Sequence, residues 1–209
     1  MVRGPGDALI ENCLFENNRG GFGGGIMLIN SEPRITIRDC TIRNNRATYA
    51  GGGVFADSVK VSLENLLVTG NTSSDKGGGI SVTRLHDGCV MTGCTVVDNR
   101  AFLGAAVRLA AGSQLRIESS LLAFNNGDGA FSAVQYSGVE IGCTLVFGHD
   151  LGNQFPYNHV DLGGNLEIDP LFCDRVDYLL QDGSPCLPGN HPGAAACGLI
   201  GARGAGCGP

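Results

Sequence analysis

The chain has 209 residues, a formal net charge of −6 at pH 7 and a hydrophobic content of 43%, which is enough for a packed core despite the 34 glycines. The negative charge and the lack of a Lys/Arg cluster argue against binding to nucleic acid or to an anionic membrane surface. No apolar run approaches the roughly 20 residues that a membrane span needs.

The first predicted element is a short strand that recurs through most of the chain. Its copies begin at Ala8, Ile35, Val61, Cys89, Leu115 and Val139. The first and third positions of every copy are apolar and the second and fourth are usually polar, which is typical of a half-buried strand. Glu11, Arg38 and Glu64 align at the fourth position, so neighbouring copies carry opposite charges that disfavour a slip in register.

A second predicted strand follows each copy of the first. Its copies begin at Cys13, Cys40, Leu66, Cys94, Ser120 and Cys143. Asp39 and Asp98 align with Asn or Gly beside these strands and are interpreted as corner residues. The first five copies end at an asparagine, and the aligned residues are Asn18, Asn45, Asn71, Asn99 and Asn125. Asparagine tolerates left-handed backbone angles and can bond the amide of a stacked copy, so we predict a structural role.

A glycine-rich corner then leads into a third predicted strand. It recurs as Gly23–Gly25, Gly51–Gly53 and Gly77–Gly79, with an altered copy at Gly104. The structural candidates are Gly24, Gly25, Gly52, Gly53, Gly78 and Gly79. One interpretation is a tight corner that needs a positive φ or has no room for a Cβ atom. The other is a flat backbone surface open to a glycan or a partner.

The period of 26–28 residues identifies a solenoid. We predict an all-β, single-stranded, right-handed parallel β-helix of about five to six coils with three short strands each. A flat antiparallel sandwich would not explain why the same residue types return. Residues 1–147 form the repeats, and residues 148–209 form a loop and a Cys/Gly/Pro-rich cap on the last coil. Because no cap precedes the first repeat, we expect the N-terminus to be truncated, so the missing signal peptide carries little weight.

The nine cysteines divide into two groups. Cys13, Cys40, Cys94 and Cys143 align in one inward position and Cys89 in another. We predict buried free thiols there, because stacked strands about 4.8 Å apart hold Cβ atoms too far apart for a disulfide. The C-terminal candidates for two disulfides are Cys173, Cys186, Cys197 and Cys207, with all three pairings open. Their spacing does not suit a zinc site.

The C-terminal run DPLFCD…YLLQDGSPCLPGNHP…CGLIGA…GC resembles the cap of secreted bacterial right-handed parallel β-helix proteins of the pectin-lyase-like fold. The upstream GGGI and F/I-x-N-N repeats are similar to those of polymorphic outer-membrane-protein passengers. The resemblance covers nearly the whole chain and implies an extracellular or bacterial cell-surface location. It does not imply an activity, because this fold hosts lyases, hydrolases and adhesins.

The acid patterns of the enzymes with this fold are not present in the sequence. The remaining candidate group is Glu64, Glu118 and Glu140 near Arg38 and Arg116. Carboxylates on stacked strands lie about 5 or 10 Å apart, and sugar hydrolysis uses pairs about 5–9.5 Å apart. A solvated charge ladder explains the same residues without chemistry. His149 and Asp150 are interpreted as loop surface.

We therefore predict a non-catalytic extracellular β-helix module of a bacterial surface or secreted protein, acting as a spacer, an adhesive surface or a glycan-contacting surface. The alternative is a polysaccharide lyase or glycoside hydrolase that acts on an extracellular glycan. We predict a monomer without cofactor or metal ion. The expected partner is an extracellular polysaccharide or another surface protein, and neither nucleic acid nor a membrane span is expected.

Overall fold

The structure, a computed structural model, describes residues 7–110, 112–134, 137–150, 152, 155–192 and 197–207. The chain forms an all-β parallel solenoid of about seven coils with almost no helix. The predicted fold class is confirmed. The predicted five to six coils were too few, because strand pairing continues past the last recognisable repeat to a strand that begins at His159.

The largest sheet has ten strands and contains the first and third predicted strands of each repeat. Strands are numbered in chain order, and this sheet contains β1 (Ala8–Glu11), β4 (Ile26–Arg38), β7 (Val54–Glu64), β10 (Ile80–Thr83), β11 (Val90–Thr92), β13 (Val107–Ala110), β14 (Gln114–Glu118), β16 (Phe131–Ala133), β17 (Gly138–Gly142) and β19 (His159–Gly163). In β4 and β7 the third strand of one repeat and the first strand of the next join into one long strand.

Three smaller sheets complete the solenoid and its C-terminal segment. The six-stranded sheet contains β2 (Leu14–Glu16), β5 (Thr41–Arg43), β8 (Leu67–Thr69), β12 (Thr95–Val97), β15 (Leu121–Ala123) and β18 (Leu145–Phe147). The three-stranded sheet contains β3 (Arg19–Phe22), β6 (Arg46–Ala50) and β9 (Thr72–Ser73), and isolated bridges extend it to Arg100 and Asn126. The last pair is β20 (Leu180–Gln181) with β21 (Ala205–Cys207).

The core consists of like residues stacked in register. Ile37 pairs with Leu63, which pairs with Met91, and that column continues through Ile117 to Ile141. All five side chains are fully buried. Full burial of such a side chain stabilises the fold by about 1.5–3 kcal/mol, so stacking alone supplies a large part of the stability.

The aligned asparagines form a hydrogen-bonded ladder inside the solenoid. Asn71 Oδ1 accepts from the backbone N–H and from Nδ2 of Asn45, both at 3.0 Å. The same two bonds join the other neighbouring members, Asn18 to Asn45, Asn71 to Asn99 and Asn99 to Asn125. The left-handed backbone angle lies one residue earlier than expected, at Asn17, Asn44, Gly70, Asp98 and Phe124. The ladder residue therefore provides the hydrogen bonds and its predecessor makes the bend.

Replacing Asn71 with alanine should lower the free energy of unfolding by about 3 kcal/mol, because buried donors of Asn45 and the carbonyl of Ile42 lose their partner. Urea unfolding followed by circular dichroism measures the change. The control is Asn44→Gly, which should alter stability by no more than about 0.5 kcal/mol, because glycine suits a positive φ and Gly70 occupies the equivalent position. Equal losses in both variants would contradict the ladder.

The glycine corners pack against one another from coil to coil. The first glycine of each triplet has a positive φ, 57° at Gly23 and 67° at Gly51. The next two lie against the following coil, so that a Cβ atom on Gly53 would lie 2.7 Å from the carbonyl oxygen of Gly79. The central and last triplets are buried. These contacts support the tight-corner interpretation over the open surface.

A second apolar cluster lies outside the solenoid. From the third coil onward, most outward side chains of the six-stranded sheet are apolar, and they pack against the C-terminal strap, which we define as residues 166–192 and 197–207. The cluster contains Leu67, Val97, Leu121, Ala123 and Leu145 from the sheet and Leu166, Tyr178, Leu180, Cys186, Cys197 and Ile200 from the strap. The strap thus lies along the side of the coils.

Polar contacts fix the position of the strap on the sheet. The Tyr178 hydroxyl donates to Asp98 Oδ2 at 2.7 Å and accepts from Thr69 Oγ1 at 2.9 Å. The backbone N–H of Ala202 donates to Thr95 Oγ1 at 2.9 Å. Burial raises the pKa of Tyr178, so this hydroxyl keeps its proton at neutral pH. The strap therefore reaches back to the third coil.

One disulfide attaches the strap to the coils and a second lies within the strap, and they correct the predicted set of bridged cysteines. Cys143 is bonded to Cys197 and Cys173 to Cys207, with Cα–Cα distances of 5.6 and 5.8 Å. Cys186, predicted to be bridged, is buried and free. Cys143, predicted to be an inward free thiol, has a φ of 46° at a corner.

The misplacement of Cys143 is a one-residue error in register. Thr144 takes the inward position instead, and its Oγ1 accepts from the backbone N–H of Ser120. At the corner, the Cys143 sulfur points outward and can reach the strap. Among the other predicted free thiols, Cys40, Cys89 and Cys94 are buried and free as predicted, whereas Cys13 is free but exposed.

Candidate functional site

The candidate acids and arginines lie on the outer face of the ten-stranded sheet in two neighbouring columns. Arg38 is in register with Glu64, and Thr92 separates Glu64 from Glu118, which places the two glutamates about 10 Å apart along the column. Arg116 is in register with Glu140 in the adjacent column. The five residues therefore do not converge on one point.

Ion pairs account for most of these candidates. Arg38 lies 2.6 Å from Glu11, and Arg116 lies 2.6 Å from Glu118 and 3.9 Å from Glu140. The hydrogen bond and the charge of Glu118, assisted by Glu140, raise the pKa of Arg116. Glu118 and Glu140 are 39% and 52% exposed. Two exposed carboxylates that share one guanidinium are the arrangement expected of a solvated charge ladder.

His149 lies at the end of the asparagine ladder, which corrects its assignment to a loop surface. Its side chain is buried, and Nδ1 accepts from the backbone N–H of Asn125 at 3.3 Å. Nε2 lies 3.1 Å from the carbonyl oxygen of Leu122, to which it donates in the tautomer that suits both contacts. The sequence signal for this role was the spacing of 24 residues from Asn125, one step of the ladder.

The stability of the protein should fall as the pH drops below neutral, because burial lowers the pKa of His149 against the opposing effect of its backbone hydrogen bonds. As the pH falls through about 6.5, the unfolded chain takes up a proton that the folded chain does not, and the free energy of unfolding decreases. Urea unfolding at pH values above and below this point measures the loss. His149→Asn should reduce the pH dependence, and a profile identical to that of the unmodified chain would contradict this role.

Arg108 is a buried cation that sequence reasoning missed. It projects from β13 but is only 8% exposed, and its Nη1 donates to Ser132 Oγ at 2.9 Å. Among the described residues its Nε has no hydrogen-bond partner. Desolvation lowers the pKa of Arg108, and Asp75 and Asp128 oppose this. Arg108 therefore connects β13 to β16 and does not present its charge at the surface.

A second set of arginines, also missed, lies immediately after the asparagine ladder. Arg19, Arg46, Thr72, Arg100 and Asn126 are in register on successive coils. The three arginine side chains are exposed. Within the part of the chain that the structure describes, none of them forms an ion pair with an acidic side chain. The signal in the sequence was the basic residue that follows Asn18, Asn45 and Asn99.

These arginines line a surface depression that we call the arginine groove. Its first part encloses about 250 Å³ and is bounded by Asn17, Asn18, Asn44, Asn45, Arg19 and Arg46. Its second part encloses about 730 Å³ and is bounded by Arg46, Thr72, Ser73, Ser74, Arg100, Phe102 and Asp128, among others. The Phe102 side chain is 72% exposed. Asp128 accepts a hydrogen bond from the backbone N–H of Gly104 at 2.6 Å. The groove therefore offers guanidinium, amide and hydroxyl groups and one exposed ring.

Two further types of site are absent from the described ranges. Across them, no group of three or more His, Cys, Asp or Glu side chains is arranged to hold a metal ion. None of the helices in these ranges has the length and apolar character needed to cross a membrane.

Comparison with known proteins gives one match. A family model described as a right-handed beta helix region matches residues 1–146. This description agrees with the predicted handedness and with the parallel coils of the structure. No curated protein and no solved structure shows a significant match to the chain.

Proposed function

The chain belongs to the right-handed β-helix family, and from that basis we propose that it is a non-catalytic extracellular module of a bacterial surface or secreted protein. Its role is that of a rigid support that presents a glycan-contacting or adhesive surface to the surroundings. The resemblance of its repeats to those of polymorphic outer-membrane-protein passengers agrees with this assignment.

The main observation in favour of this proposal is the disulfide-attached strap. One disulfide ties the strap to the flank of the coils and a second lies within the strap, and disulfides persist in oxidising compartments outside the cytosol. The strap also covers an apolar sheet face that would otherwise be exposed. A solenoid reinforced in this way is suited to display a surface at a fixed distance from its point of attachment.

The arrangement of charged residues supports a role in presenting a binding surface over a role in catalysis. The candidate carboxylates Glu118 and Glu140 share Arg116 on an open face, and Arg38 is paired with Glu11. Such alternating charges hold the register of stacked strands. The arginine groove, in contrast, leaves its cations available to a ligand.

The proposal is tested by measuring binding and turnover in the same samples. The full chain is incubated with polyuronates and with neutral glycans, and binding, new reducing ends and unsaturated products are measured. We expect binding without turnover. Turnover that disappears in Glu118→Gln or Glu140→Gln, and persists in the matched ladder variant Glu11→Gln, would instead identify a polysaccharide lyase or glycosidase. Absence of binding to every glycan would also overturn the glycan-contacting role.

A further inference from the structure

We propose that the arginine groove binds a linear acidic polysaccharide, whose anionic groups pair with Arg19, Arg46 and Arg100. This inference rests on the proposed glycan-contacting function and specifies the class of glycan and its place on the molecule.

The first argument is the charge pattern of the columns. Elsewhere on the solenoid, charged residues in register often have opposite signs, as Glu16 and Arg43 do. Arg34 and Lys60 are a like-charged pair in register, and there the Arg34 guanidinium donates to Ser62 and to the carbonyl of Gly88. In the groove Arg19 is in register with Arg46, so two cations face each other on neighbouring coils. Like charges directly opposite on paired strands are destabilising. The protein has a net charge of −6, so acidic residues that could relieve this repulsion are available in the sequence. Among the described residues, however, no acidic side chain forms an ion pair with the arginines of the groove.

The second argument is the shape of the arginine row. Successive coils are about 4.8 Å apart, so the backbone positions of Arg19 and Arg100, three coils apart, span about 14 Å along a straight line. A small anion would contact one or two of these residues. An extended polymer with repeated negative groups can contact all three. The planar guanidinium also donates two parallel hydrogen bonds to the paired oxygens of a carboxylate-like group, which gives each contact a direction.

The third argument is the remainder of the lining. The amides of Asn17 and Asn44 and the hydroxyls of Thr72 and Ser74 can bond sugar hydroxyl groups. The exposed ring of Phe102 offers an apolar face to a sugar ring. Single-stranded nucleic acid favours several aromatic platforms and a uniformly basic channel. The groove has one exposed ring in its lining and includes Asp128, so a glycan fits it better.

The experiment compares two variants of equal charge change in the full chain. Arg46→Gln with Arg100→Gln removes the groove cations. Arg38→Gln with Arg84→Gln removes exposed arginines that are paired with Glu11 and Asp57 outside the groove. The probes are alginate and chondroitin sulfate as acidic chains, laminarin and dextran as neutral chains, and polyuridylate. Affinity is measured by titration calorimetry at low and high salt, and circular dichroism verifies the fold of each variant.

The unmodified chain should bind the acidic chains, with an affinity that falls as salt is added. The groove variant should bind them about tenfold or more weakly, because each lost guanidinium removes charge-assisted hydrogen bonds to the anionic groups. The paired-arginine variant should stay within about twofold of the unmodified chain. The variant Thr72→Arg, which fills the gap between Arg46 and Arg100, should bind more tightly, and this gain cannot be produced by misfolding.

Three outcomes would overturn the inference. If neutral chains bind as well as acidic ones and the groove variant is unaffected, the glycan-contacting function stands, but the binding of an acidic chain in the arginine groove is refuted. If acidic chains bind but Arg46→Gln with Arg100→Gln has no effect and Thr72→Arg brings no gain, the ligand lies elsewhere. If polyuridylate binds as tightly as the acidic chains, the assignment to a polysaccharide is wrong.

Discussion

Replacing Val54 with aspartate should lower the free energy of unfolding by about 4 kcal/mol or more, a large part of the stability of a typical domain. Val54 has no exposed surface and lies in register between Ile26 and Ile80. An ionised carboxylate at this position would meet apolar side chains on both sides and would lack a partner. Urea and thermal unfolding should show a variant that is partly or wholly unfolded at 25 °C.

The matched control places the same carboxylate in water. Met27 follows the stacking neighbour Ile26 on β4, and its side chain is 46% exposed. Met27→Asp should change stability by no more than about 1 kcal/mol, because the new charge stays solvated. A folded Val54→Asp protein with an unshifted melting temperature would show that the inward and outward positions of β7 have been exchanged.

Replacing Cys143 with serine should release the strap and lower the free energy of unfolding by about 4 kcal/mol. The disulfide to Cys197 closes a loop with a sequence separation of 54, and its loss increases the entropy of the unfolded chain. The released strap would also uncover the outward leucines of the six-stranded sheet. Limited proteolysis should therefore cleave the strap earlier, and a hydrophobic dye should bind the variant.

The control for this prediction is Cys186→Ala, a change at a buried free thiol of the same strap. It removes one small buried group and should cost about 1 kcal/mol. Peptide mapping without reducing agent should recover the pairs Cys143–Cys197 and Cys173–Cys207. A bridge at Cys186, or equal protease sensitivity in the two variants, would refute the assigned attachment of the strap.

The solenoid could be predicted from the sequence because its stability depends on local repetition. Like residues meet their equivalents one coil away, so the alignment of Ile26, Val54 and Ile80 in the sequence is also their register in space. The prediction failed where repetition ended. β19 has no recognisable repeat pattern, and Cys143 was misaligned because its copy was assumed to lack a residue.

The position of the strap could not be predicted from the repeats, because it depends on contacts between segments that are distant in the sequence. Tyr178 contacts Thr69 across a sequence separation of 109, and no periodicity connects such positions. A signal was nevertheless present. Leu67, Leu121 and Leu145 point outward at positions where a solvated sheet would carry polar side chains, so something had to cover them.

The candidate site was harder to predict than the fold. The columns of Glu64, Glu118 and Arg116 were visible in the sequence, but their pairing became clear only when side-chain distances were known. The row formed by Arg19, Arg46 and Arg100 was visible as well. Its importance depends on the absence of acidic partners among the described residues, which a sequence alignment of repeats does not reveal.

The contacts of the strap divide the solenoid into two regions of unequal stability. Its most distant described contacts are on the third coil, at Leu67 and Thr69. Coils in a stacked array normally separate one at a time from either end. The first two coils can still separate in this way. The later coils can separate only after the covalently attached strap has detached from them. Amide exchange should consequently be faster in the first two described coils than in the coils that the strap contacts.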